Sequence, residues 1–482
     1  MPTTFTANLD APGSALAHVW SHTVGSGRAQ LALRADWQTQ MRKTHAELGV
    51  RHVRFHGLLN DEMCTYLIEC DKDMYSFFNA DQIFDFLVSI GMKPFVELSF
   101  MPTALQTGGD VVFFYKANVT PPRDYAKWAD LVTRLVKHWV ERYGIDEVRS
   151  WYFEVWNEPN LDAFWKGKQA DYFKLYQYTA NAIKDVDAQI RVGGPATADD
   201  EWIPEFLQFA DTNQLPVDFV STHHYPTDAL GKPGDDTETQ LSDAPRDVLI
   251  QRVRKMRETV GDRKLCYTEW CSSSNPFFHL HDEPYAAAFL FKNMLGVADL
   301  VHCYSWWTFS DIFEENYFSS IPFHGSFGLQ TIHGIAKPTY RAMQLLHGLG
   351  DQQFPVEGSH PTVDGWAVRV DDNHVDLLLT NHAFPRQDIA AEAVTWHVTS
   401  SRKPASAHVQ YVDDGHCNSR QAWVDMGSPD YLDAKQVAEL DEASQLKSEP
   451  LAITSSENGF DLQLNLPPHG IAAVRVALAT DQ

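Results

Sequence analysis

The apolar run "SWYFEVWNEPNLDAFW" (150 to 165) breaks off in Asn157, Glu158 and Pro159. A carboxylate that closes a segment built for burial must be solvated, paired or chemically used, because an unpaired buried charge costs several kcal/mol or shifts its pKa. A second carboxylate, Glu269, closes "KLCYTEW" (264 to 270) in the same way. Two carboxyl groups opposed across a sugar-sized cleft can split a glycosidic bond, one protonated to assist the leaving group and the other ionised as nucleophile or base. Other apolar runs also end in polar or aromatic groups. His22 closes "AHVWSH" (17 to 22), Arg54 and His56 close "RHVRFHG" (51 to 57), and His223, His224 and Tyr225 close "DFVSTHHY" (218 to 225). Trp306 and Trp307 stand in "LVHCYSWWTF" (300 to 309), with Asp311 just beyond.

The elements that would position these groups follow from periodicity. With "KPFVELSF" (93 to 100) and "IRVGG" (190 to 194), the short apolar runs number eight. Segments of helical period alternate with them near 36 to 48, 80 to 90, 124 to 143, 171 to 186, 201 to 213, 246 to 260, 284 to 298 and 338 to 348. In the third, Tyr125, Trp128, Leu131, Val132, Leu135, Trp139 and Tyr143 recur at steps of three or four and form one apolar stripe. Eight strands alternating with eight helices predict an α/β fold, a (β/α)8 TIM barrel over 15–349, whose active site stands at the C-terminal ends of the strands. Period two then places Glu154, Trp156 and Glu158 on one face, Arg54 and His56 on another, and Tyr267 with Glu269 on a third. Past residue 350 short alternating runs such as "WAVRV" and "HVDLLLT" predict an appended β-sandwich domain over 350–482, joined by roughly 1–14. One helix is expected there, at 428 to 444, with Ser428 as N-cap and Pro429 as its first residue.

Composition narrows the partners. The formal net charge of −25 argues against nucleic acid, which needs clustered Lys and Arg to neutralise phosphates, and favours a neutral or cationic ligand. No run approaches the ~20 apolar residues of a membrane span, and no signal-peptide pattern opens the chain, so a cytoplasmic protein is expected. The six cysteines lie scattered, which predicts free buried thiols. No Cys or Asp stands at ligand spacing, and no Gly-rich phosphate loop or H-E-x-x-H occurs, so neither a metal nor another cofactor is expected.

"WNEPN", "TEW", "FHG", "HHY" and "SWWTFSDIFEE", together with "FHGSFGLQTIHGIAKPTYRA" (323 to 342), resemble a retaining glycoside hydrolase of clan A, family 39, the β-xylosidases and α-L-iduronidases. The resemblance covers essentially the whole barrel. It implies Glu158 as general acid/base, Glu269 as nucleophile and Asn157 as holder of the sugar 2-hydroxyl. Arg54 is expected to keep Glu269 ionised or to pair with Glu154, and Tyr225 to hydrogen-bond the nucleophile. His22, His56 and His223 are expected to bind sugar hydroxyls, and Trp307, with Phe309 behind it, to pack on the ring. The resemblance also implies that one of Glu314 and Glu315 reaches the outer hydroxyls. It places Tyr225 where iduronidases carry a lysine, which favours a neutral pentose over a uronate. The long aromatic loop "MPTALQTGGDVVFFYKANVTPP" could wall the cleft into a pocket. The reading is therefore an exo-acting β-D-xylosidase on xylobiose and short xylo-oligosaccharides, with some α-L-arabinopyranoside cleavage. An iduronidase-like or endo-acting clan A enzyme, or a non-catalytic sugar-binding protein, are its rivals. For the sandwich, support of the barrel, a share in the site wall or a homo-oligomer interface stay open.

Overall fold

The computed structural model describes residues 3–228, 236–315 and 319–479. Eight parallel strands close into a barrel: β1 (Thr23–Arg28), β2 (His52–His56), β3 (Lys93–Leu98), β4 (Tyr152–Val155), β5 (Arg191–Thr197), β6 (Phe219–His224), β7 (Leu265–Trp270) and β8 (Cys303–Trp306). Around them lie α1 (Ala35–Leu48), α2 (Phe78–Ser89), α3 (Tyr125–Tyr143), α4 (Gln169–Val186), α5 (Ile203–Thr212), α6 (Val248–Val260), α7 (Pro284–Gly296) and α8 (Pro338–His347).

Local chemistry explains where these elements start and what they bury. The Asp124 side chain accepts the amides of Ala126 and Lys127, which caps α3, and Gly144 at φ 86° ends it. Trp128, Leu131, Val132, Leu135, Val136 and Trp139 of α3 are buried, each worth roughly 1.5–3 kcal/mol of transfer free energy. Inside the barrel, period two builds layers. Phe95, Tyr152, Phe219, Cys266 and Cys303 form an apolar floor, with the Phe95 and Tyr152 rings stacked at 5.2 Å. Two residues further along the strands come Glu97, Glu154 and Thr268, so polarity begins one layer above the floor.

Several expectations need correction, among them the single helix past residue 350, where Ser419–Asp425 and Ala434–Ala443 are both helical. The first strand is Thr23–Arg28, and the expected stretch 17 to 22 instead contains a 3-10 turn, Val19–Ser21, ahead of it. The turn forms because apolar Val19 and Trp20 bury beneath the barrel without entering its ladder. The expected helix at 428 to 444 is Ala434–Ala443, because Asp433 and Gln436 complete a reciprocal capping box while Ser428 sits at φ 53°, outside any helix. Of the free cysteines, Cys64 and Cys70 are exposed rather than buried.

Besides two small hairpins in the barrel loops, Tyr66–Glu69 with Lys72–Tyr75 and Val111–Val112 with Ala117–Asn118, the remaining described strands form two sheets. In the five-stranded sheet, Thr3–Asn8 lies between Val356–Glu357 and Glu392–Thr399, parallel to the latter. The seven-stranded sheet runs from Ser14–Ala15 through Gln352–Phe354, Val363–Arg369, His374–Asn381, Ile471–Leu478 and Pro404–Val412 to Ser448–Pro450. Phe5, Leu377, Leu379, Trp396, Leu462 and Val474 fill the space between them. Arg246, just before α6, fastens the barrel to this unit by pairing with Asp364 and donating to the carbonyls of Thr362 and His382. Residues 1–2 and 480–482 of the expected sandwich range lie outside the described residues. Among the described residues no helix is long and apolar enough to cross a membrane.

Candidate active site

β4 stops at Val155, and the chain then turns sharply, with Trp156 at φ 74° and Glu158 at φ 43°. The Glu158 amide donates to Ala196 O at 2.8 Å, which ties the turn to the end of β5. Positive φ at two non-glycine residues is uncommon and costs conformational energy, so the surrounding packing must hold this turn in place. The turn also corrects the face assignment. Trp156 does not share Glu158's direction: it packs outward on Phe100, Trp128 and Trp165, and its indole N–H donates to Phe164 O.

Glu269 reaches the same cavity by a different irregularity. The pairing of β6 with β7 jumps from Thr222↔Tyr267 to His223↔Glu269, which leaves Thr268 as an extra residue in the strand. Thr268 and Glu269 therefore both face inward, while Tyr267 stacks on His224 at 4.0 Å on the other side. Tyr267 and Glu269 do not share a face, because the bulge breaks the alternation between them.

The two carboxyls are close but differently served. One ligand atom each of Glu158, His223 and Glu269 lies within 4.8 Å of the others. This spacing suits the ~5–5.5 Å of a retaining pair. Of the three, Glu269 already accepts from two protein donors, and the unequal service of the two carboxyls equips the trio for proton and bond chemistry. Glu269 accepts from the Tyr225 hydroxyl at 2.5 Å and from Arg54 Nη1 at 3.4 Å. Among the described residues, Glu158 Oε1 meets only His223 Nδ1, at 2.9 Å. Burial raises the Glu158 carboxyl to about 7, against the pull of His56 and Arg54. Burial also raises Glu269, and Glu158's charge adds to it while His223, Arg54 and His56 oppose. Burial lowers His223 to about 4, so its imidazole is neutral near pH 7.

Arg54 organises the layer below. Its Nε donates to Glu154 at 2.6 Å, and its Nη2 lies 2.8 Å from Glu97 and 2.9 Å from Asn157 Oδ1. It thus pairs with both Glu154 and Glu269. Burial opposes its charge, yet Glu154, Glu97 and Glu269 hold it above the ordinary arginine value. Because Arg54 takes up the Asn157 oxygen, the Asn157 amide NH2 is committed to donating. Glu97 was not singled out in the sequence, although it ends an apolar strand just as Glu158 and Glu269 do. It holds His56 Nδ1 at 2.8 Å and accepts from Ser99. Burial disfavours a charged His56, but Glu97 and then Glu315 outweigh that and raise it to about 9.

The acidic pair separates cleanly. Glu315 is buried, stands 3.4 Å from His56 Nε2 and is raised to about 8, by burial first and then by Glu269, Glu97 and Glu158. Glu314 turns to Arg34 and Arg28, at 2.6 and 3.4 Å. The Trp307 ring lies 4.9 Å from that of His56 and 5.8 Å from Phe313. Phe309 is not behind it but packs on Trp37 of α1 at 5.2 Å. The loop after β3 brings the Phe113 ring to 6.5 Å from His56 and closes that side of the mouth.

His22 is not at the mouth. It directly precedes β1, and its ring stacks on His52 at 4.7 Å and meets Tyr152 and His302 beneath the floor. Burial keeps it neutral. The expectation of a sugar contact fails because the strand begins, rather than ends, next to it.

The profile of "Glycosyl hydrolases family 39" matches residues 6–459. A protein of Caldicellulosiruptor saccharolyticus described as "Beta-xylosidase" is 46% identical over 465 residues, covering 95% of each chain. A "Beta-xylosidase" of Geobacillus stearothermophilus is 36% identical over 93% of this chain and 89% of its own. The crystal structure of a monomeric beta-xylosidase from Caulobacter crescentus CB15 superposes with a TM-score of 0.89 at 32% identity, covering 99% of this chain and 100% of that one.

Proposed function

From the premise that this chain belongs to glycosyl hydrolases family 39, we propose that it is an exo-acting retaining β-D-xylosidase releasing xylose from xylobiose and short xylo-oligosaccharides, with side activity on α-L-arabinopyranosides. The observation that carries this reading is the unequal pair Glu158 and Glu269, within 4.8 Å across the barrel mouth.

In the first step Glu269, held ionised by Tyr225 and Arg54, attacks the anomeric carbon while Glu158 gives its proton to the departing oxygen. Esterification removes the charge of Glu269, which favours ionisation of Glu158. Glu158 then takes a proton from water as that water attacks the anomeric carbon and frees Glu269. Asn157 donates to the 2-hydroxyl, a bond that strengthens as oxocarbenium character develops. His56 and Glu315 hold outer hydroxyls, His223 acts on Glu158, and Trp307 offers its ring to the sugar. Arg54 and His56, the cations beside the two glutamates, are both taken by carboxylates, which supports a neutral sugar over a uronate.

The test is release of 4-nitrophenol from 4-nitrophenyl β-D-xyloside by the wild type and by Glu269→Ala with azide. Wild-type turnover, its loss in the variant and rescue as α-xylosyl azide are expected. Turnover surviving in Glu269→Ala would remove the nucleophile assignment, and a wild type inert on aryl pentosides would remove the substrate class.

A further inference from the structure

Thr268, the extra residue of the β7 bulge, is fully buried between two groups of different chemistry. Its hydroxyl lies 2.7 Å from Glu154 Oε1 and 3.1 Å from His223 Nε2. Glu154's other oxygen is ion-paired with Arg54 Nε at 2.6 Å, so Glu154 can only accept. The single Thr268 proton must therefore go to Glu154, and toward His223 the hydroxyl oxygen can only accept. That places the one N–H of a neutral His223 on Nε2 and leaves Nδ1 with a bare lone pair, 2.9 Å from Glu158 Oε1. Only a protonated Glu158 completes that contact. Glu269, 3.7 Å from Nδ1, is beyond hydrogen-bond range and takes its donors from Tyr225 and Arg54.

We propose that Thr268 is a positioning residue that fixes the tautomer of His223, so that His223 Nδ1 accepts the acid proton of Glu158 and holds it in place for transfer. This rests on the reading of Glu158 as the acid/base. The chain of donors runs Glu158 O–H to His223 Nδ1, His223 Nε2–H to Thr268, and Thr268 O–H to Glu154, anchored by Arg54. When Glu158 has given its proton to the leaving group, its carboxylate faces the same lone pair, and this repulsion favours recovery of a proton from water. The depth of burial that keeps His223 neutral is consistent with this chain.

The other charged and titratable groups around Glu158 are Arg54 and His56 on β2, Glu97 on β3, Tyr225 after β6, Glu269 on β7 and Glu315 after β8. None of these groups is hydrogen-bonded to the Thr268 hydroxyl, whose partners are Glu154 and His223, so a shift in Glu158 that follows the nitrogen spectrum of His223 reports the tautomer.

The experiment combines the pH dependence of kcat/KM on 4-nitrophenyl β-D-xyloside with 15N NMR of histidine-labelled protein, for wild type, Thr268→Ser and Thr268→Val. The His223 resonances are assigned by difference against His223→Gln. The wild type and Thr268→Ser are expected to show the Nε2–H tautomer and the same basic limb. In Thr268→Val, with no acceptor for Nε2–H, the Nδ1–H form should appear. A donor toward the carboxylate should then move the basic limb down by about one pH unit. An Nδ1–H tautomer in the wild type, coincident limbs for wild type and Thr268→Val, or a shift in Thr268→Ser as large as in Thr268→Val would overturn the proposal. If Thr268→Val does not fold, the wild-type and Thr268→Ser spectra decide alone. A wild type without xylosidase activity would count against the functional reading, while the nitrogen spectrum would still decide the tautomer.

Discussion

Glu158 and Glu269 are the same side chain in two environments, and the difference lies in their donors. Glu269 receives donors from Tyr225 and Arg54; among the described residues Glu158 meets only a neutral imidazole nitrogen that accepts its proton. The proton of the pair therefore rests on Glu158. Because the proposed mechanism uses the acid form and burial places its pKa at about 7, kcat/KM should fall tenfold per pH unit above that value, as a pH–rate profile would record. Glu158→Gln should slow xylobiose hydrolysis by about 10²–10⁴-fold, with a much smaller loss on a substrate whose leaving group needs no protonation. Equal losses on the two substrates would contradict the acid role. His56 makes a separate prediction about stability. Its folded pKa of about 9 lies above the ~6.5 of the unfolded chain, so its contribution is complete below ~6.5 and is lost as pH rises through about 9. Melting temperature should decline between pH 7 and 9.5, and this decline should shrink in His56→Gln.

At the scale of elements, the site depends on places where regular structure stops. β4 ends three residues before Glu158, β7 bulges at Thr268, and β8 gives way to the loop that carries Glu315. Trp307, just past β8, packs directly against β1. A Cβ built on Gly25 would collide with its ring and approach Trp306 O to 3.1 Å. Gly25→Ala should therefore push Trp307 into the sugar site. Overpacking of this kind costs about 1–3 kcal/mol of stability, and loss of about 1.4 kcal/mol of sugar binding at the displaced ring would raise KM for aryl xyloside about tenfold. An unchanged KM would mean that β1 or Trp307 can yield without affecting the site.

At the scale of the whole molecule, the two ends of the chain meet in one unit. Thr3–Asn8 is the middle partner between Val356–Glu357 and Glu392–Thr399, and Phe5 enters the core beside Trp396 with ring centroids 5.6 Å apart. Deleting residues 1–9 would leave the long Glu392–Thr399 strand with an open edge and would remove a buried aromatic. Lower thermal stability and self-association on size-exclusion chromatography are expected. A monomeric, equally stable deletion variant would show that the N-terminal strand is dispensable.

Much of this was legible in the residues, because strand and helix periods and strand-end polarity are local properties. Seven of the eight barrel strands lie where the apolar runs place them, and Glu158 and Glu269 stand out as carboxylates closing such runs. Local pattern misplaced β1, since "AHVWSH" is as apolar as a strand but packs beneath the barrel, and His22 was misread with it. It also missed Glu97, which the same strand-end rule would have found, and Thr268, whose inward direction comes from a bulge that period two cannot express. Only the tertiary structure decided which of Glu314 and Glu315 faces His56, and where the protons sit. Those depend on depth of burial and on charges brought together from β2, β3, β4, β6 and β7, whose distances are set by closure of the barrel and not by spacing along the chain.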